Sequence, residues 1–236
     1  EMETVFKGGV FKNESDARPP APLPADRPAD CEIIRNLEVP PGEDRAAPTA
    51  PFAEQQIKVA GFGGQGVLMA GIMLAATGME AGLQVTWIPS YGPEMRGGTA
   101  NCSVIISGKR IGSPVVDHPH VLIAMNGPSL DAFEDTVRKG GVIIVNSSMV
   151  ERKVKRTDVT AIHAPVTDMA GELGLPACAN MVAIGLYLAH TRIIDVENLV
   201  TMIPVAIKKK QYSEINIAAV RKAVAYLEKN QVSLAR

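Results

Sequence analysis

The stretch IKVAGFGGQG, residues 57–66, determines how the rest of this chain is expected to fold. Its first residues are mostly apolar and predict a buried strand, and four glycines follow within six positions. The run that begins at Val67 has the apolar spacing of a helix. A strand, a glycine-rich turn and a helix N-terminus together form a cradle for an anion or for a close backbone neighbour.

Gly61, Gly63 and Gly66 have the GxGxxG spacing of a dinucleotide-binding turn. A turn without a ligand also favours glycines, because they allow positive φ and close contact between helix and strand, so the motif alone leaves both interpretations open. A NAD-binding unit carries an acidic residue about 20 residues further on, which holds the ribose hydroxyls. Here the second strand runs into Pro89 and Ser90 without such an acid, and a NAD site is therefore disfavoured.

The composition indicates an α/β domain with a sizeable core. The 236 residues are 46% hydrophobic but only 4% aromatic, and small aliphatic residues dominate, as in parallel sheets covered on both faces. A net charge of −1 without a basic patch disfavours nucleic acid as a partner. No apolar run has the length of a membrane span, and the start of the sequence has no signal-peptide pattern.

Cys31, Cys102 and Cys178 are far apart and form no CxxC pair, and Cys102, on an apolar strand, is expected to be a small buried core residue. They are too few for an iron–sulfur cluster, which needs about four thiolates, and they predict no disulfide framework. We therefore expect a reducing compartment and a cytoplasmic location. His118 and His120 flank a proline, a pattern that favours a loop entering a strand over a metal site. We predict no metal ligand and no catalytic residue on this chain.

The chain divides into an extended, Pro-rich N-terminal arm at 1–56 and an α/β domain at 57–236. The arm holds nine of the 17 prolines and eleven acidic against six basic side chains, a composition that favours extended backbone and builds no core. A disordered tail or linker is one interpretation. We expect instead that the arm wraps a partner subunit, with apolar anchors at Phe6, Phe11, Ile33, Ile34 and Leu37.

Strands and helices alternate after the arm. Strands are predicted over 57–61, 84–89, 100–107, 111–116, 120–125, 142–146 and 159–164. Helices are predicted over 64–82, from Pro128 onward, and over 177–191, 195–204 and 213–229. This alternation favours a Rossmann-like three-layer α/β fold with a mostly parallel sheet.

The loop at 90–99 follows the second strand and is expected at the same carboxyl edge as the glycine turn. Its glycines suit a backbone that closely approaches another molecule. Arg96 offers a fork of donors for a carboxylate or phosphate, Glu94 can orient it, and Tyr91 can stack or donate a hydrogen bond. An equally open interpretation is that Glu94 and Arg96 pair across a subunit interface.

Five motifs, in this order and spacing, resemble one family closely. They are GFGGQGV at 61–67, SYGPEMRGGTANCSVIIS at 90–107, LIAMN at 122–126 followed by PSL at 128–130, GGVIIVNSSMV at 140–150 and ANMVAIGLYL at 179–188. Over about 57–230 the chain is similar to the gamma subunit, or gamma domain, of the 2-oxoacid:ferredoxin oxidoreductases. That family includes enzymes for pyruvate, 2-oxoglutarate, branched-chain 2-oxoacids, indolepyruvate and phenylglyoxylate.

The resemblance implies a complex that oxidatively decarboxylates a 2-oxoacid with coenzyme A to acyl-CoA, CO2 and reduced ferredoxin. In that family the alpha and beta parts hold thiamine diphosphate with Mg, and the beta and delta parts hold [4Fe-4S] clusters. This chain is then expected to bind no cofactor alone, to have alpha, beta and delta partners, and to contact neither nucleic acid nor membrane. An assembly-only subunit is one alternative, and an independent NAD-binding dehydrogenase domain is a less favoured one.

The gamma part is expected to help close the active site or the coenzyme A region. We expect Arg96 and the backbone amides of 64–66 to face an anionic group, either a coenzyme A phosphate or a partner carboxylate. Asn180 and Met181 begin a helix whose first turn is a weaker candidate, since core packing is favoured there. The predicted site residues are Gly63, Gly64, Gln65, Gly66, Tyr91, Glu94, Arg96, Gly97 and Gly98.

Overall fold

The computed structural model describes residues 53–91, 99–207 and 210–230. Within these ranges the strands are β1 (Gln55–Phe62), β2 (Gln84–Tyr91), β3 (Thr99–Ser107), β4 (Val121–Ala124), β5 (Val142–Asn146) and β6 (Thr160–Ala164). The α-helices are α1 (Val67–Glu80), α2 (Gly127–Phe133), α3 (Val166–Gly171), α4 (Ala179–Thr191), α5 (Val196–Ala206) and α6 (Lys210–Asn230). Short 3-10 turns follow α2 at Glu134–Thr136 and precede α4 at Pro176–Cys178. The predicted N-terminal arm, up to residue 52, lies outside the described residues.

The strands form one mixed sheet in the order β2-β3-β1-β4-β5-β6. Strands β1, β4, β5 and β6 are parallel neighbours, whereas β3 is antiparallel to both β1 and β2. The sheet is therefore mixed, with three parallel and two antiparallel pairings, and the prediction of a mostly parallel sheet holds for β1, β4, β5 and β6. The reason is the short connection from β2 to β3, because a parallel neighbour needs a crossover of about a dozen residues or more.

The predicted strand at 111–116 was wrong, and α3 was not predicted. Residues 111–116 form an irregular connection in which only Val116 is buried. Gly112 and Pro114 weaken a strand there, since proline has no N–H to donate to a sheet. Helix α3 has six residues, too few to show a helical period of apolar positions. The remaining strands and the longer helices lie within a few residues of their predicted positions.

The two faces of the sheet are covered to different extents. One face carries side chains from all six strands, which pack in a large core with α1, α3, α4, α5 and α6. The other face carries a smaller core, formed by Ala60, Leu122, Ala124, Leu130, Val137, Ile143, Val145 and Val150. Among the described residues this smaller core includes no side chain of β2 or β3. Three layers therefore exist over the parallel strands β1, β4 and β5.

Glu134 anchors the connection between β5 and β6 to the smaller core. The residue is only 3% exposed, and its carboxylate accepts the backbone N–H groups of Lys155 and Arg156. It also pairs with Arg152 at 2.7 Å, which in turn pairs with Asp131 at 2.6 Å. Burial alone would raise the pKa of Glu134, but the hydrogen bonds from these donors hold it below its ordinary value.

His120 joins the start of β1 to the start of β4 at the amino edge of the sheet. Its Nδ1 accepts the Gln56 N–H at 3.0 Å, and its Nε2 lies 3.1 Å from Nη1 of Arg138. Burial and the Arg138 charge both lower the pKa of His120, so the neutral ring is favoured in the fold. The histidine thus has the loop-to-strand role that the sequence favoured. No helix in the described ranges is both long and apolar enough to cross a membrane.

Candidate functional site

The carboxyl ends of β1, β4, β5 and β6 meet at one edge of the sheet. Strand β2 ends at the same edge, because β1 and β2 are both antiparallel to β3: Gly61 and Tyr91 pair with the same residue, Ala100. The glycine turn and both ends of the 90–99 loop therefore lie at this edge, as the sequence predicts. Parallel α/β sheets commonly place their ligand sites here.

A topological switch point lies between β1 and β4. Within the strand order, α1 leads from β1 toward the β2 end of the sheet, whereas α2 leads from β4 to β5, toward the β6 end. Ligands of open α/β sheets bind in the crevice that such a reversal leaves. Here the glycine turn follows β1 and residues 125–127 follow β4, so these two segments form the walls of the crevice.

Gln65 joins the two walls. Its Oε1 accepts the Phe62 N–H at 2.7 Å and the side-chain amide of Asn126 at 3.1 Å, and its Nε2 donates to the Met125 carbonyl at 3.3 Å. A Cβ on Gly61 would lie 2.7 Å from Gln65 Oε1, so glycine is required beneath the amide. The Gln65 side chain thus spans the crevice between the two walls.

The glycine turn presents bare backbone at the edge. Gly64 is exposed with φ of 97°, and a Cβ there would meet nothing within 4 Å. Gly66 has φ of 73° and is the N-cap of α1, which no described side chain caps. The first N–H groups of a helix have no partner within the helix and carry partial positive charge. The turn and the helix start therefore offer donors suited to an anionic group.

Asn180 fixes the start of α1 from the opposite side. It is 4% exposed, and its side-chain amide donates to the Gly66 carbonyl at 3.1 Å. A Cβ on Gly66 would lie only 2.6 Å from Asn180 Nδ2. Asn180 is thus a packed structural residue, which agrees with the core role that the sequence favoured.

Two further buried asparagines hold this edge together and were missed in the sequence. Asn126, 2% exposed, accepts the Ser129 N–H at 2.9 Å and so caps α2. Asn146, 1% exposed, donates to the Met125 carbonyl at 3.2 Å and to Thr167 Oγ1 at 2.9 Å. The signal was available, since each asparagine directly follows a run of buried apolar residues at the end of a parallel strand, in LIAMN and VIIVN.

Cys102 lies beneath the start of α1. The residue is fully buried, and its thiol donates to the Val67 carbonyl at 3.4 Å. Burial raises the pKa of Cys102 to about 12, so the thiol stays protonated. The prediction that it acts as a small core residue is confirmed.

Four of the predicted site residues, Glu94, Arg96, Gly97 and Gly98, lie outside the described residues. For Tyr91 the backbone is described and ends β2 at the carboxyl edge. The roles of these five residues stay predictions. The other predicted site residues, Gly63, Gly64, Gln65 and Gly66, form the turn at the switch point.

We expect Gln65→Ala to lower the free energy of unfolding by about 2 kcal/mol, because it leaves the Phe62 N–H and the Asn126 amide without their acceptor. Gln84→Ala, on an exposed glutamine at the start of β2, is the matched control. Denaturant unfolding of both variants measures the difference. Equal stabilities would show that Gln65 does not hold the two walls together.

Comparison with known proteins agrees with this fold. The pyruvate ferredoxin/flavodoxin oxidoreductase family matches residues 56–226. Ketoisovalerate oxidoreductase subunit VorA of Methanothermobacter marburgensis is 45% identical over 138 residues, which are 58% of this chain and 29% of VorA. The 2-oxoglutarate synthase subunit KorC of Methanothermobacter thermautotrophicus is 40% identical over 149 residues, which are 60% of this chain and 79% of KorC.

A solved structure shares the fold. The gamma subunit of keto/oxoacid ferredoxin oxidoreductase from Geobacter sulfurreducens PCA superposes with a TM-score of 0.65 at 26% identity. The superposition covers 74% of this chain and 99% of that subunit. By contrast, the alignment with VorA spans less than a third of VorA's length. The likeness is thus to a gamma-sized unit, which in VorA is one portion of a longer chain.

Proposed function

The chain belongs to the pyruvate ferredoxin/flavodoxin oxidoreductase family, and on this premise we propose that it is the gamma part of a 2-oxoacid oxidoreductase complex. The complex would convert a 2-oxoacid, coenzyme A and oxidised ferredoxin to acyl-CoA, CO2 and reduced ferredoxin. Alpha, beta and delta parts would be its partners, and ferredoxin would be the electron acceptor. The proposed location is the cytoplasm.

In this proposal the redox and decarboxylation chemistry belongs to groups held by the partner parts. The partner parts would hold thiamine diphosphate with Mg and [4Fe-4S] clusters, which would supply the decarboxylation and electron-transfer chemistry. The described residues of this chain contain no group of three or more His, Cys, Asp or Glu side chains placed to hold a metal ion.

The proposed task of this chain is to close the site and hold the anionic part of coenzyme A. The observation that carries this proposal is the turn at the switch point. Gly64 is exposed, no described side chain caps the start of α1, and Gln65 holds the turn rigidly through three side-chain hydrogen bonds. Rigid N–H donors bind an anion without a further cost of ordering the loop.

Arg96 would add a charged donor to these amides, with Glu94 orienting it and Tyr91 packing beside it. Gly97 and Gly98 would let the loop backbone approach the ligand or the neighbouring subunit closely. A guanidinium suits a phosphate because its paired N–H groups match two oxygens at once. An assembly role, in which Arg96 pairs with a partner carboxylate, is the second candidate.

Arg96→Ala in the complete complex separates the two candidates. If Arg96 binds coenzyme A, we expect its KM for coenzyme A to rise about tenfold, with the complex intact, because a charge-assisted contact is lost. Arg110→Ala, at an exposed arginine just after β3 at the opposite edge, is the control. Loss of assembly without a change in KM would favour the second candidate. No change in either quantity would show that Arg96 has neither role.

The reaction itself is tested on the complex recovered with this chain. We expect viologen reduction that depends on both a 2-oxoacid and coenzyme A, and a panel of 2-oxoacids would identify the substrate. If the complex contains thiamine diphosphate but none of the 2-oxoacids in the panel supports viologen reduction, the proposed function is contradicted.

A further inference from the structure

In the described part of the chain, no helix covers the second face of the sheet over β2 and β3 near the carboxyl edge. Two cross-strand rows lie there: Lys58–Ser103–Ile88 and Ala60–Asn101–Ser90, each running from β1 through β3 to β2. Residues directly opposite one another in antiparallel strands point to the same side of the sheet. We call the four side chains on β2 and β3 in these rows, Ile88, Ser90, Asn101 and Ser103, the hairpin patch.

The patch differs from the rest of the sheet in its exposure. Ile88 is 41% exposed, Ser90 is exposed, and Asn101 and Ser103 are half-buried. The next row toward the amino edge is closed, since Ile105 is 1% exposed. The parallel half of the sheet buries both faces, whereas antiparallel strands commonly leave one face exposed, so the side chains of the patch decide whether another molecule covers it.

The polar side chains of the patch can form hydrogen bonds with another molecule. In the described part of the chain no side-chain hydrogen bond involves Ser90, Asn101 or Ser103, although Asn101 and Ser103 are half-buried. A half-buried amide without a partner gains from a hydrogen bond that an incoming backbone or side chain supplies. Ile88 beside them adds an apolar contact.

Lys58 borders the patch on β1 and supplies its charge. Its Nζ lies over the ring of Phe133 of α2, 4.8 Å from the ring centre. Among the described residues it forms no ion pair within 4 Å, and the carboxylate whose charge acts on it is that of the exposed Asp117. The half-buried ammonium is thus held in place by an aromatic ring without a paired carboxylate.

We infer that the hairpin patch is the docking surface for another subunit of the complex, which places a carboxylate beside Lys58 and hydrogen-bonding groups over Asn101 and Ser103. This inference rests on the proposed function, in which the chain works within a multi-subunit assembly. A second copy of this chain is a poorer occupant. Related by a two-fold axis, two copies would bring the same cationic patch against itself.

The test uses a tagged full-length chain recovered together with its complex. Ile88→Arg and Ser90→Arg each place a large cation in the patch at an exposed position, so both variants are expected to fold. Val205→Arg is the control, since Val205 is 48% exposed on α5, which covers the opposite face. We expect the two patch variants to retain about tenfold less thiamine-diphosphate-containing partner than the wild type, and the control to retain the wild-type amount.

Three results would overturn the inference. Patch variants that retain wild-type amounts of partner would show that the patch is not the docking surface. In that case, 2-oxoacid-dependent activity of the complex would still support the proposed function. An isolated wild-type chain that is dimeric, and that Ile88→Arg makes monomeric, would identify a second copy as the occupant. A wild-type chain recovered with no thiamine-diphosphate-containing partner would contradict the proposed function itself. Thermal unfolding of each isolated variant confirms that the chain is folded.

Discussion

Gly66→Ala is expected to lower the free energy of unfolding by about 3 kcal/mol. Two costs combine at this position. The φ of 73° disfavours any residue with a Cβ, and the new methyl group would lie 2.6 Å from Asn180 Nδ2. Asn180 is buried and bonded to the Gly66 carbonyl, so it has little freedom to move aside. Denaturant unfolding measures the loss.

Gly82→Ala provides a closely matched control. Gly82 has φ of 74°, nearly the same as Gly66, but a Cβ there would meet nothing within 4 Å. Its substitution should therefore cost about 1 kcal/mol, from backbone strain alone. In a chain that already carries Asn180→Ala, Gly66→Ala should lower the free energy of unfolding by no more than Gly82→Ala does, because the close contact with the asparagine is gone. Equal costs for Gly66→Ala and Gly82→Ala in the wild-type chain would show that Asn180 does not constrain the turn.

Glu134→Ala is expected to cost about 3 kcal/mol of unfolding free energy at pH 7. The substitution removes the acceptor of the Lys155 and Arg156 backbone N–H groups and the partner of Arg152. Because the carboxylate is only 3% exposed, water replaces these contacts poorly. Glu151→Ala, at an exposed glutamate in the same connection, should have little effect and serves as the control.

The cost of Glu134→Ala should depend on pH in one direction. The pKa of Glu134 is held below its ordinary value of 4.5, so folding favours the ionised form. Its contribution to stability is fully present above about pH 4.5 and is lost as the pH falls through the pKa of the folded state. Denaturant unfolding from pH 7 down to acid should therefore show the variant and the wild type converging. A difference that stays constant over this range would exclude an ionised Glu134 as the anchor.

Local pattern was sufficient for the order of the elements. The glycine turn, the strand before it and the helix after it follow from the spacing of apolar residues and glycines in 57–80. The family resemblance followed from five short motifs, which the sequence shows directly. The predicted strand at 111–116 was wrong although the sequence carried the signal against it, since Gly112 and Pro114 both weaken a strand.

Strand pairing could not be predicted in the same way. The same buried alternation suits a parallel or an antiparallel neighbour. The short connection within 84–107 favours a β2–β3 hairpin, but nothing in the sequence indicated that β3 of this hairpin pairs with β1. That pairing brings the two ends of the 90–99 loop to the carboxyl edge, and it leaves the hairpin patch without a helix from the described part of the chain. Both the candidate site and the docking surface therefore depend on how the strands pair in the tertiary structure.

By itself the sequence determined the α/β class, the glycine turn at the carboxyl edge, the burial of Cys102 and the membership of a family, because periodicity and motif spacing are local properties. Only the tertiary structure decided what holds the turn. Gln65 reaches Asn126 across 61 positions, and Asn180 reaches the Gly66 carbonyl across 114. Such contacts join residues that no local pattern relates, and they form only when separate strands and helices pack together.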